Sequence, residues 1–382
     1  MTGSLQLKRG IWQCVLNFRD NDGKRKQKWV STELPERGNK KKAEAILKGL
    51  INEYGDNNYI EPTKMLFCDF VSEWVKASKS HVQPTTYDNY VHMLEKHVYP
   101  YFKALGITLI QVKPLHIQQY HSAKAEEGLS PNTIIKHHAI IRTSLKTAIK
   151  QGIIRENAAD LVDRPKRKRF TAEFYNKDEI NQLLNVIKDT AIETPVLMAS
   201  YFGFRRSEVI GLKWDCIDFA NKTLSVRHKV VRAKVNGKLT IVQTDDLKTD
   251  TSYRTLPLST DMLDRLTALK QQQERNRQLF GNGYIAEFSD YVCVNEIGDL
   301  LKPDYVSDKF GKIIDKAGLK HIRFHDLRHS CASLLLSLGY SMKDIQEWLG
   351  HSNFQTTANL YAHVDPNNKR SMANGIASAL AI

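Results

Sequence analysis

The order of apolar and polar residues divides the chain into three stretches with different periods. Residues 4–32 alternate apolar and polar positions, as in IWQCVLNF, and the run NDG at 21–23 supplies a hairpin turn. Apolar residues then recur at helical spacing from Ala43 to Tyr54. The first stretch therefore predicts a β-hairpin or small three-stranded sheet followed by a helix.

The second stretch, residues 65–161, has the spacing of amphipathic helices and predicts a four-helix domain. Its best-marked helix begins after Ser130, a natural N-cap, with Pro131 at the first helical position. His137 and His138 fall inside this helix without a third ligand nearby in the sequence, which favours packing or surface histidines over a metal site.

A basic run, RPKRKR, follows this stretch, and its proline and charge predict an interdomain linker that can cross a phosphate backbone. A nuclear-import signal has the same composition. The third stretch mixes helices with an alternating segment at 223–258, which predicts a small antiparallel sheet. Lys248 lies in the turn-like TDDLKTDTSY of that segment, where a lysine is usually only solvated. The expected fold class is multidomain α+β, with domains at 1–62 and 63–163, a linker at 164–172 and a mainly α-helical domain at 173–382.

Amino-acid composition indicates the class of binding partner and the cellular location. Lysine and arginine total 56 against 42 acidic residues, and the net charge of +14 favours a polyanion such as nucleic acid over a neutral small molecule. No apolar run approaches the roughly 20 residues that span a bilayer, and the first residues lack a secretory apolar core, so a cytoplasmic location is expected. The five cysteines are odd in number and form no CxxC pair, which argues against a disulfide framework or thiolate zinc site.

Candidate chemistry appears first in YFGFRRSEVIGLKW, residues 201–214, where charged residues interrupt a largely apolar segment. Buried charge is unfavourable unless it is paired or used. Glu208, three positions after Arg205, can hold its guanidinium and leave it directed at an anion. A structural Arg–Glu pair at a helix end explains this segment equally well when it is taken alone.

Two later segments, RFHDLRHS and LGHSNFQTTANLYAHV, add further candidates. His325 and Arg328 are three residues apart and project from one face of a helix, while His351 precedes Tyr361 by a short span. Each has an ordinary alternative, since Tyr361 can pack in a core and His351 can cap a helix. His325 and His329 also imitate the i, i+4 spacing of a zinc-binding helix, but no third ligand is evident.

The joint order of these elements is more specific than any one of them. The segments YFGFRRSE, LKTDTSYRTLPL, FHDLRHSCASLLL and LGHSNFQTTANLYAHV resemble motifs of the tyrosine recombinases, specifically the phage and conjugative-transposon integrases of the lambda type. The catalytic resemblance covers about residues 173–365, and the first two stretches look like the arm-binding and the SAM-like core-binding domains of such integrases. Phe204, where an aliphatic residue is usual, and Ser330, where threonine is common, depart from the pattern without replacing a reacting group.

The resemblance implies a site-specific DNA recombinase that integrates and excises a mobile element through a 3′-phosphotyrosyl intermediate. Glu208 would orient Arg205, and DNA cleavage and rejoining would need neither a metal nor ATP. The resemblance also implies that Tyr361 is the nucleophile. The residues that would activate the phosphodiester are Arg205, Lys248, His325, Arg328 and His351.

The implied partners are double-stranded DNA, three further copies of the chain in a tetramer, and an accessory excision or DNA-bending protein. Basic residues of the hairpin and of the linker are expected to contact DNA. These are Lys24, Arg25, Lys26, Lys28, Arg167, Lys168 and Arg169. A type IB topoisomerase would use similar chemistry, and a non-catalytic DNA-binding protein would keep the basic hairpin, so both classes remain alternatives at this point.

Overall fold

The computed structural model describes residues 2–19, 25–55, 63–168, 173–235, 238–245 and 252–350, with three single positions at 374, 377 and 380. The chain folds into two compact units, Met1–Arg169 and Phe170–Ile382. Within the described ranges, no helix is both long enough and apolar enough to cross a membrane.

The first unit opens with the predicted sheet and helix. Its strands pair antiparallel in chain order and are followed by one helix. They are β1 (Thr2–Lys8), β2 (Ile11–Arg19), β3 (Arg25–Pro35) and α1 (Lys40–Gly55). A Cβ atom added to Gly3 would lie 2.9 Å from the Leu47 side chain of α1, so the helix packs closely on this face of the sheet. Leu16, paired with Gly3, is fully buried.

A helical bundle completes the first unit. Its helices are α2 (Phe67–Ala77), α3 (Pro84–Met93), α4 (Tyr99–Leu105), α5 (Pro114–Glu126) and α6 (Pro131–Lys150). The predicted N-cap of α6 is confirmed, because Ser130 Oγ accepts a hydrogen bond from the Thr133 amide at 3.2 Å. Phe67 and Phe102 meet edge to face in the core, with ring centroids 4.7 Å apart.

The second unit is mainly helical and carries small antiparallel sheets, which confirms the predicted fold class. One sheet has the strand order β4 (Ile217–Asp218), β5 (Thr223–Val226), β8 (Arg254–Pro257), and a separate hairpin is formed by β6 (Lys229–Val235) and β7 (Lys238–Thr244). The helices are α7 (Lys177–Ile187), α8 (Glu193–Phe202), α9 (Arg206–Ile210), α10 (Thr260–Phe280), α11 (Pro303–Lys316), α12 (Asp326–Ser337) and α13 (Met342–Leu349).

Candidate active site

Arg205 stands at the turn between α8 and α9. Helix α8 ends where Gly203 adopts a left-handed conformation with φ +66°, and Arg205 becomes the N-cap of α9. The rings of Phe202 and Phe204 stack in the core with centroids 5.1 Å apart and anchor the turn. Glu208 Oε2 accepts the Arg205 backbone amide at 3.1 Å, and its other oxygen accepts a bond from the Arg205 guanidinium. The local sequence RRSE thus builds a capping arrangement that also holds the arginine side chain.

Glu208 is shared between two arginines. Its side chain is 3% exposed, and Arg254 Nη2 of strand β8 lies 3.1 Å from Oε2. Burial raises the pKa of the Glu208 carboxyl, but the charges of Arg254, Arg205 and Arg328 outweigh it, and the net pKa is lowered. Glu208 is therefore ionised at neutral pH despite its burial.

Arg328, on α12, is only 2% exposed although it is charged. Its Nη1 donates to the Gly203 carbonyl and its Nη2 to the Leu349 carbonyl, both at 2.6 Å. Burial, followed by the charge of Arg205, lowers the pKa of Arg328. Arg328 is thus a desolvated guanidinium whose two terminal nitrogens both donate to backbone carbonyls.

Arg254 is a site residue that the sequence motifs did not single out. Its Nε donates to the Trp348 carbonyl at 2.9 Å, and its guanidinium lies over the Phe204 ring, 5.1 Å from the centroid. A signal for it exists in YRTLPL, because Arg254 alternates in phase with the buried Leu256 and Leu258. A charged residue on the buried face of a predicted strand indicates a specific buried partner.

The end of α13 is contacted by three guanidiniums on consecutive carbonyls. Besides the Trp348 and Leu349 contacts, Arg205 Nη2 donates to the Gly350 carbonyl at 3.2 Å. The last carbonyls of a helix lack partners within the helix and carry partial negative charge, so cations stabilise this end. The arginines thus tie α8, α9, β8 and α12 to the point where the chain leaves α13.

His325 precedes α12 and lines a cleft of about 650 Å³ together with Arg205. Burial, followed by the neighbouring His329 and Arg328, lowers the pKa of His325 to about 4. The rings of His325 and His329 have centroids 5.7 Å apart. His325 is therefore a neutral imidazole at physiological pH, the form that can accept a proton.

Asp326, between the two histidines, has its carboxylate occupied by Arg323. Arg323 Nε and Nη2 donate to its two oxygens at 2.9 and 2.7 Å, and the backbone amide adds a third bond at 2.8 Å. This pairing fixes the start of α12, from which Arg328 projects.

The structure thus brings together four of the predicted site residues, Arg205, Glu208, His325 and Arg328. Of the other candidates, Lys248, His351 and Tyr361 lie outside the described residues, as do Lys24 and Arg169.

The basic side chains of strand β3 project from both faces of the first sheet. Lys28 pairs with Leu16, which pairs with Gly3, so this row lies on the face that packs against α1. The side chain of Lys26 projects from the same face, whereas that of Arg25, one residue earlier, projects from the opposite face. Arg25 and Lys26 are exposed and Lys28 is half-buried. In the linker, Arg167 and Lys168 are exposed.

Comparison with known families gives two matches. The model of the phage integrase family matches residues 173–368, and that of the phage integrase N-terminal SAM-like domain matches residues 66–125. The first match covers just over half of the 382-residue chain and includes every element around Arg205 and Arg328.

Individual proteins are similar over nearly the whole chain. A tyrosine recombinase XerC-like protein of Caldanaerobacter subterraneus is 27% identical over 369 residues, covering 92% of this chain and 91% of that protein. The ICEBs1 integrase of Bacillus subtilis is 25% identical over 342 residues, covering 89% and 90%.

Among solved structures, the Tn1549 transposon integrase in complex with a circular intermediate DNA has the same fold, with a TM-score of 0.66 at 19% identity over 82% of this chain and 99% of that one. With the fold, the arginine cluster and the family match in agreement, the chain belongs to the phage integrase family and is a tyrosine recombinase, a site-specific recombinase acting on DNA.

Proposed function

We propose that this recombinase cuts and rejoins DNA through a 3′-phosphotyrosyl link to Tyr361, and so integrates and excises a mobile element. The observation that carries the proposal is the cluster of Arg205, Arg254 and the buried Arg328: the first two pair with Glu208, and the charges of all three lower the pKa of its carboxyl. A desolvated site with this excess of positive charge complements the extra negative charge of a phosphodiester under attack.

The covalent step exchanges one phosphate ester for another. The phenolic oxygen of Tyr361 forms a bond to the scissile phosphorus, and the bond from phosphorus to the 5′-oxygen breaks. Arg205 and Arg328 clamp the two non-bridging oxygens, whose charge grows in the transition state. Glu208 holds Arg205 for this task and does not touch the DNA.

Two proton transfers accompany that step. A tyrosine has an ordinary pKa of about 10, so its deprotonation needs local help, and the neutral His325 takes the proton. The leaving 5′-oxygen receives a proton from Lys248, whose long side chain and ammonium suit a mobile general acid. His351 donates a hydrogen bond to the phosphate.

The phosphotyrosyl ester conserves the energy of the broken strand, so rejoining to a new 5′-hydroxyl requires no ATP. The guanidiniums supply the positive charge at the phosphate, so the step requires no metal.

The number of strands cut sets the number of protomers. Exchange between two duplexes cuts four strands, and one tyrosine per cut calls for a homotetramer. An accessory excision or DNA-bending protein shapes the nucleoid DNA that the tetramer joins.

The parts of the chain divide the DNA contacts between them. Residues 1–62 bind arm-type sites, 63–163 bind the core site, the linker at 164–172 crosses the backbone, and 173–382 carry the chemistry. The exposed Arg25, Lys26, Arg167 and Lys168 support the electrostatic part of this division. Lys24, Lys28 and Arg169 belong to the same proposed contact set.

The test is covalent capture on a nicked suicide duplex, in which the cleaved end diffuses away and the protein stays attached. We expect an adduct with the full chain, in EDTA as well as without it, and none with Tyr361→Phe. An intact chain that forms no adduct, or a Tyr361→Phe variant that forms as much as the wild type, would refute the assignment.

A further inference from the structure

Arg254 is a buried cation for which the proposed chemistry has no direct use. Its side chain is 6% exposed, whereas that of Arg205 is 29% exposed and lines the cleft beside His325. Arg254 makes its contacts within the protein, with Glu208, with the Trp348 and Ser252 carbonyls and with the Phe204 ring. A desolvated guanidinium is unfavourable by itself, so its presence calls for a role that a smaller or apolar residue would not fill.

Its contacts link the two features that define the phosphate site. One is Glu208, the carboxylate that also binds Arg205, and the other is the C-terminal end of α13, where Arg328 and Arg205 bind the next two carbonyls. Arg254 is thus the third member of a row of guanidiniums that donate to consecutive carbonyls at the end of α13.

The row explains why the charge of Arg254 matters as well as its shape. Without it, Glu208 would pair with Arg205 alone, and the Trp348 carbonyl would lose a donor at the end of a helix. The backbone amide of Arg205 would still bind Oε2, but a carboxylate that loses one of its two guanidinium partners can shift toward the other, and the Arg205 side chain would move with it. Near a reacting phosphorus, displacements of about 1 Å can slow a reaction about 100-fold.

We infer that Arg254 is a positioning residue for DNA cleavage: through Glu208 and the Trp348 carbonyl, it sets the place of Arg205 and of the end of α13 relative to the scissile phosphate. The inference rests on the proposed function, because it takes Arg205 to be part of the phosphate clamp. It assigns Arg254 to the cleavage step and gives it no part in DNA affinity.

The experiment compares Arg254→Lys and Arg254→Ala with the wild-type full chain in single-turnover cleavage of two nicked suicide duplexes. One carries the ordinary scissile phosphodiester, and in the other a methylphosphonate replaces it, so that one non-bridging oxygen and its negative charge are absent. The clamp neutralises charge, and a misplaced clamp therefore matters less when the charge is gone. We expect both variants to bind DNA normally and to cleave the diester about 100-fold more slowly, with a defect at least about tenfold smaller on the methylphosphonate.

Two reference variants calibrate the comparison. Arg205→Ala removes the clamp residue itself and should show the same dependence on substrate charge. Arg265→Ala removes an arginine of α10 that is 61% exposed and pairs loosely with Glu193 at 3.7 Å, and it should leave both rates unchanged.

Equal slowing on both substrates, or unchanged cleavage of the diester, would overturn the inference for Arg254. If Arg254→Ala fails to fold, Arg254→Lys decides the matter, because it keeps the charge and loses the planar fork. A folded Arg254→Lys that cleaves like the wild type would overturn the inference, and failure of both variants to fold would assign Arg254 to stability instead. A wild-type chain that forms no adduct would refute the proposed function, which is a separate result.

Discussion

The Nη2 atom of Arg254 lies 3.1 Å from Oε2 of Glu208, and the two side chains are 6% and 3% exposed. An ion pair at this depth is largely shielded from water, and removal of one partner leaves the other charge uncompensated. We therefore expect Glu208→Gln, which keeps the shape and removes the charge, to destabilise the second unit by about 3 to 5 kcal/mol. Thermal unfolding of the full chain measures this, and adduct formation should fall with it because Arg205 loses its anchor.

The matched control is Glu347→Gln. Glu347 pairs with Lys343 at 3.0 Å, but the two side chains are 65% and 72% exposed, and exposed pairs contribute about 0 to 1 kcal/mol. A Glu208→Gln chain that melts at the same temperature as Glu347→Gln would contradict the view that Glu208 compensates buried arginines.

Gly203 and Gly318 form a second matched pair, because both have φ +66°. A Cβ at Gly318 would meet nothing within 4 Å, whereas one at Gly203 would lie 2.2 Å from Cδ2 of Leu349, which is fully buried. We expect Gly318→Ala to destabilise by about 1 to 2 kcal/mol from the backbone alone, and Gly203→Ala by about 1 to 3 kcal/mol more from overpacking.

Cleavage should separate the two glycine variants further. The Gly203 carbonyl accepts a bond from Arg328, so only Gly203→Ala should slow adduct formation, which single-turnover assays below the melting temperature can measure. Equal stabilities and equal rates for the two variants would mean that the contact between Gly203 and Leu349 has no energetic weight.

The local features of this fold could be predicted from the sequence, and its long-range contacts could not. The N-cap at Ser130 and the capping box of Asn176 and Glu179 are read from neighbouring residues, and both are present. Glu208 is likewise only three positions from Arg205. The contact between Glu208 and Arg254 spans 46 residues, and the bond from Arg328 to Gly203 spans 125, and no periodicity encodes such distances.

Resemblance to a family supplied the candidate set where spacing alone left alternatives open. The order of the motifs identified Arg205, His325 and Arg328 as candidates. That these side chains lie close together depends on how α8, α9 and α12 pack. Arg254 belongs to the motif LKTDTSYRTLPL, but its role becomes visible only when β8 is placed beside Glu208 and the end of α13.

A group of buried histidines should make the first unit sensitive to acid. His137 is fully buried and its Nδ1 lies 2.8 Å from the Tyr120 hydroxyl, while the ring of His138 lies 5.2 Å from that of His121. Burial, followed by the charges of His97 and Lys124, lowers the pKa of His137 to about 4. Burial, followed by His121, also lowers the pKa of His138 to about 4.

The sign follows from proton uptake. Unfolded histidines have a pKa of about 6.5, so between that value and about 4 the unfolded chain binds protons that the folded chain does not. Stability is therefore full above pH 7 and falls as the pH drops, by about 1 to 2 kcal/mol per histidine between pH 7 and pH 5. Amide hydrogen exchange of α6, corrected for intrinsic rates, should show this loss of protection.

The variants His138→Met and His81→Gln test the source of that effect. Removal of the His138 imidazole should reduce the pH dependence by about half, because His137 still contributes, whereas removal of the exposed His81 should not change it. Protection of α6 that stays constant from pH 7 to pH 5 in the wild-type chain would show that these histidines are not held neutral by the fold.

The pH profile of cleavage tests the role of His325 as proton acceptor. Burial, followed by His329 and Arg328, lowers its pKa to about 4, so in the free protein it stays neutral and able to accept a proton throughout the range from pH 6 to pH 8. If a histidine with an ordinary pKa of about 6.5 were the base, the cleavage rate would fall below that pH.

We therefore expect single-turnover adduct formation to show no decline centred near pH 6.5 in the wild-type chain. The control His321→Gln alters a histidine that is 68% exposed, and it should show no such decline either. His325→Gln should be slower at every pH in this range. A wild-type decline with its midpoint between pH 6 and pH 7 that is absent from the residual activity of His325→Gln would show that His325 titrates normally, and the assignment of a neutral, buried base would be wrong.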